Sequence, residues 1–150
     1  MKRLIFLLLV ISPPLIADFA VDSPLNFGEI AVRSNDIVST VSITRNSTQQ
    51  STNHIFVLTP GSPGVFTLTD LPPFTVANLS VDLPAVSAMG YPDTAQFEIT
   101  AVDIPTSVNL GPSGSAQFKM GGTLSTSGNP ATNYYSGAAY LIFINLNIDY

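Results

Sequence analysis

Few residues of this chain have the chemistry of a reacting group. His54 is the single histidine and there is no cysteine. Zinc sites, and triads that pass a proton through an imidazole, therefore lack parts. His54 follows a polar loop and reads as a surface residue where that loop meets a strand. The ten acids are scattered rather than alternating about a central glycine, so a calcium loop is not spelled out. Gly114-Ser115-Ala116-Gln117-Phe118-Lys119 lacks the spacing of a phosphate loop, and no Gly-x-Ser-x-Gly elbow occurs. Paired carboxylates for glycoside hydrolysis meet only in three dimensions, and no pair is favoured. The expectation is a protein that is not an enzyme and holds no cofactor or metal. Tyr134 and Tyr135 could stack on a sugar, but the chain has no tryptophan. The simpler role is for Tyr135 to seal the end of a sandwich.

The first residues bear on compartment. Lys2 and Arg3 precede an unbroken apolar run from Leu4 to Ile11, and Ala17 stands before the first acid, Asp18. That order predicts a secretory signal peptide over 1–17, too short in its apolar part to span a bilayer. The remaining 133 residues, 18–150, are expected to form one domain with a sizeable core. Three cations, Arg33, Arg45 and Lys119, then face ten acids, a net charge of −7. Such a surface repels phosphate backbones, so nucleic acid is a poor partner. Without cysteine, stability must come from packing, sheet hydrogen bonds or pairing with another chain.

The elements that would position any site are strands. Ile37, Ser39, Val41 and Ile43 alternate with polar neighbours, as do Phe66 and Leu68, and Leu79, Val81 and Leu83. Phe97, Ile99 and Ala101 form another such set, as do Phe118, Met120, Gly122 and Leu124. Turn chemistry lies between them at Pro60–Gly64, Pro72-Pro73, Gly90–Asp93 and Gly111–Gly114. Residues 45–53 and 125–133 read as polar loops. The last segment carries Ile142, Ile144, Leu146, Ile148 and Tyr150 on one face, and Leu141 and Phe143 before Asn145, Asn147 and Asp149 on the other. It is expected to start deep in the core and end at a solvated or shared edge. Phe27, Val41, Ile43, Phe66, Phe97, Phe118, Ile142 and Ile144 are the expected core. Short antiparallel strands without a helix predict an all-β chain, a β-sandwich.

Leu25-Asn26-Phe27-Gly28-Glu29-Ile30, Gly122-Thr123-Leu124, Tyr135-Ser136-Gly137 and the final Tyr150 together resemble a family of secreted bacterial domains of unknown function. That family is similar to fimbrial subunits assembled by a periplasmic chaperone and an outer-membrane usher. Those subunits are incomplete immunoglobulin-like sandwiches in which a neighbour's N-terminal extension supplies the missing strand, so the resemblance implies an immunoglobulin-like antiparallel β-sandwich, either complete or short of one strand. The resemblance implies strand-pairing roles for Phe19, Val21, Gly137, Ile144, Leu146, Ile148 and Tyr150. It also implies self-assembly or pairing with other exported subunits, at the periplasm, the cell surface or an extracellular filament. Gly137 is fourteenth from the C-terminus, as in such subunits; Tyr150 is last where theirs is penultimate, and the stretch before Leu25 is short. Two other readings compete. One is a self-contained binding domain, an adhesin or carbohydrate binder. The other is a small outer-membrane barrel, which the aromatic C-terminus suits but the short, proline-rich runs do not.

Overall fold

The computed structural model describes residues 18–87, 95–135, 137 and 139–150. The expected signal segment and the Gly90–Asp93 turn lie outside the described residues. Every regular element among them is a strand: β1 Asp18–Ser23, β2 Glu29–Val32, β3 Thr40–Ile43, β4 Gln49–Ser51, β5 Ile55–Thr59 and β6 Gly64–Thr69, then β7 Val76–Val81, β8 Ala85–Val86, β9 Glu98–Asp103, β10 Ser107–Asn109, β11 Ala116–Ser125 and β12 Leu146–Asp149. All pairings are antiparallel. The chain is an all-β sandwich.

The larger layer is organised by β11. Its first half pairs with β6, and β1 lies outside β6 at the sheet edge. Its second half pairs with β3 and with β9, which extend to β4 and β8. Gly121 stands where β11 passes from one set of partners to the other. A Cβ there would overlap the Ile43 carbonyl, so no other residue lets the two backbones approach this closely.

The opposing layer is two separate sheets, β10-β7-β12 and β2-β5. The three-stranded sheet packs Ala77 and Leu79 onto Phe66, Leu68, Phe118 and Met120, with Leu146 and Ile148 at its margin. The β2-β5 pair covers a second cluster built on Val41, Ile55, Phe97, Ile99 and Leu124. Ile144 packs against both clusters.

The alternating sets fall largely as their periodicity predicts. Val41, Ile43, Phe66, Phe97 and Phe118 are buried, whereas Phe27, Ile142 and Ile144 are half-buried. Leu83 lies past the end of β7 and is exposed. Four further departures have local causes. Ile37 precedes β3 and is exposed. Ala101 points outward because β9 carries a bulge: Ile99 pairs Leu124 and Ala101 pairs Thr123, which leaves Thr100 as an extra residue. Residues 45–53 are not all loop, since Gln49–Ser51 forms β4 against β3. The terminal segment does not start deep in the core: Leu141 and Phe143 are 67 % and 85 % exposed. The partner strand β7 ends at Val81, opposite Leu146, and the chain then crosses to β8 in the other layer. Among the described residues no strand pairs with 141–144 on that side.

Candidate functional site

Strand edges dominate the sites the chain offers. At β1, Phe19 pairs across from Leu68 and Val21 from Phe66, so both share the core-facing side of the sheet. Phe19, Phe66 and Phe118 form a stack with 5.5 Å between successive ring centroids. Being outermost, Phe19 and Val21 stay 39 % and 55 % exposed, and all of β1 up to Asp22 is exposed. Asp22, at a bulge, accepts from Thr67 Oγ1 at 2.6 Å and Gln117 Nε2 at 3.1 Å. The outer backbone edge of β1 has no strand partner among the described residues.

At the other end, Leu146 pairs across from Val81 and Ile148 from Leu79. Ile144, Leu146 and Ile148 all reach the cluster that contains Phe66, so the structure brings them to the same core as Phe19 from the opposite layer. The ladder ends with Asp82 N–H donating to the Asn145 carbonyl at 3.1 Å. Beyond it, 141–144 remain outside any ladder among the described residues while their side chains still alternate, Ile142 and Ile144 inward, Leu141 and Phe143 outward. Gly137 and Tyr150 are not part of this grouping. Gly137 takes φ +72° in open space, and Tyr150 is exposed past the end of β12.

The polar residues are largely committed to structure. His54 is half-buried, with Nδ1 3.7 Å from Asp36 Oδ1. The Asp36 carboxyl is held below its ordinary range, chiefly by the hydrogen bond from Ser34. Arg45 meets Asp103 through both its Nε and its backbone N–H, each at 2.8 Å. Among the described residues no three His, Asp or Glu side chains gather as a metal site would require. A cleft of about 80 Å³ lies between Val32–Asn35 and Asn133-Tyr134. That is small beside the ~300–1,000 Å³ of small-molecule pockets.

Two features had little sequence signal. Tyr134, rather than Tyr135, seals the sandwich end: its ring lies 4.2 Å from Phe97, and Tyr140 meets Phe97 edge-on at 4.8 Å. Tyr134 OH donates to the Gln96 carbonyl and accepts from Ser127 N–H, and burial pushes its pKa up. Tyr135 is exposed. Asn35, buried, holds the 125–133 loop through Nδ2 contacts to Ser127 Oγ, the Asn129 carbonyl and both oxygens of Thr132, and accepts from Gly128 N–H. The one hint was negative: a loop with no large apolar residue needs a polar anchor.

Comparison with curated proteins and with solved structures gives no match to this chain. A family model does match: that of the domain of unknown function DUF4402 runs over residues 18–150, the whole sandwich, and the chain belongs to that family.

Proposed function

We propose that this chain is an exported, fimbria-like or surface structural subunit that acts by β-strand pairing, an immunoglobulin-like sandwich short of one strand. The observation that carries the reading is the broken second layer. Two small sheets pack on one continuous layer without pairing to each other, and 141–144 sit over the core with their backbone outside any ladder among the described residues. Backbone groups unpaired beside half-buried apolar side chains are what an added strand satisfies, through main-chain bonds and alternate side-chain pockets together. The likeness to chaperone–usher subunits fits this picture. A chaperone would shield the edge and a neighbouring subunit would fill it.

The deciding experiment is size-exclusion chromatography and thermal melting of residues 18–150, with and without a peptide carrying apolar residues at alternate positions. An oligomer or a low melt, raised by the peptide, supports strand addition. A monomer with a high, cooperative melt that ignores the peptide sinks it. That outcome would favour a self-contained binding domain, a reading supported by β1, which lies along its own β6. Export is tested separately by N-terminal sequencing, with Asp18 expected as the first residue.

A further inference from the structure

We propose that Tyr140–Ile144 pairs with the same segment of a second copy, antiparallel and in the register that sets Ile142 opposite Ile142 of the other copy. The proposal rests on the strand-pairing reading above and names its partner.

Three observations select the segment. First, its backbone lies outside any ladder among the described residues, while its side chains keep the strict alternation of a strand. Second, Leu141-Ile142-Phe143-Ile144 is apolar on both faces, a pattern that belongs to strands covered on both sides. Here only Ile142 and Ile144 are covered, and Phe143 is the most exposed large apolar residue described. Third, 139–144 contain no charge, proline or glycine in a chain with ten acids. The segment's own sequence thus carries neither the charge nor the proline that keeps an edge from pairing.

The segment is complementary to itself. About a two-fold axis at Ile142, Leu141 lies opposite Phe143 of the other copy, and Tyr140 lies opposite Ile144. Inward residues meet inward residues and outward meet outward, so the pleats of the two edges agree. Each outward residue gains an apolar cross-strand neighbour, twice over by symmetry. The free edge of β1 behaves oppositely. Pairing it with its own copy about Ala20 sets Asp18 against Asp22 twice, and like charges directly opposite are destabilising. The charge pattern thus admits a second copy at 140–144 and disfavours the register at β1 that is centred on Ala20. An isologous contact of this kind closes on itself, so it produces a dimer and leaves growth to another edge.

The absence of native cysteine makes the register directly readable. Full chain is expressed, and the protein is purified as wild type, Leu141→Cys, Phe143→Cys and Phe143→Lys. Sedimentation velocity should show a concentration-dependent dimer for wild type, and Phe143→Lys should weaken it ~tenfold or more. Its melting at low concentration should be unchanged, because Phe143 touches little in the monomer. On mild oxidation, a mixture of the two Cys variants should cross-link between copies far more than either alone, since opposite Cβ atoms lie about 4.5–5.5 Å apart and diagonal ones farther. A dimer indifferent to Phe143→Lys, or stronger cross-linking of one variant with itself, overturns the site or the register. A wild-type protein that stays monomeric yet is stabilised by an alternating apolar peptide overturns the second copy and keeps strand addition. A monomer indifferent to both overturns the two readings together.

Discussion

Phe118 and Phe19 stand in one aromatic stack but carry different loads. Phe118 is buried between layers, and Phe118→Ala should cost about 3–5 kcal/mol in a denaturant melt. Phe19 lies at the exposed end, so Phe19→Ala should cost nearer ~1 kcal/mol. Asn35 is the polar counterpart. Asn35→Ala strands the partners of a buried amide and should cost about 2–3 kcal/mol, while Asn35→Asp should cost more by setting a carboxylate against the Asn129 and Thr132 carbonyls. Tyr134 supplies a pH signature. Burial raises its pKa above the ordinary 10.0, so the folded state holds the phenolic proton more tightly than the unfolded chain. The stability this contributes is complete below pH 10, and it is lost as pH rises through the folded value. Tyr134→Phe should flatten that alkaline loss in melts recorded across the range. Phe118 was legible from alternation alone. Asn35 was not, because its partners lie about ninety residues away in a loop without periodicity.

At the scale of the strand, alternation located most elements but not where their ladders stop. β9 reads inward at Ile99 and Ala101, and the bulge at Thr100 is invisible because any residue can be the extra one. The terminal segment reads as one long strand, yet among the described residues only 146–149 pair, because what ends the ladder is the departure of β7 after Val81. This split yields a contrast. Ile148→Lys puts a charge into the cluster under β12 and should strongly destabilise the fold, whereas Leu141→Lys should leave the monomer's melting nearly unchanged. Gly121→Val should displace β3 from β11 and unfold the domain, since its Cβ would overlap the Ile43 backbone.

For the whole molecule, the fold class was written in the frequency of short alternating runs and turn dipeptides. The division of one layer into two sheets was not, since it depends on which strands fail to meet. The net charge of −7 over residues 18–150 sets a further expectation. Copies repel at long range, so any association through an uncharged edge should strengthen with added salt. Sedimentation at low and high ionic strength would show it, and weakening by salt would point to an ion-paired interface instead.

The central place of β11 also fixes when the domain can form. Its pairs reach back from Ser125 to Thr40 and from Ala116 to Leu68. A chain made from its N-terminus therefore holds β3, β6 and then β9 before the strand that joins them exists. Hairpins such as β3–β4 can close early, but neither core can assemble before β11 is available. Such late, long-range closure makes folding slow and keeps apolar strands exposed meanwhile. Nascent chains ending before Ala116 should therefore remain protease-sensitive throughout, and protection should appear in one step once β11 is complete.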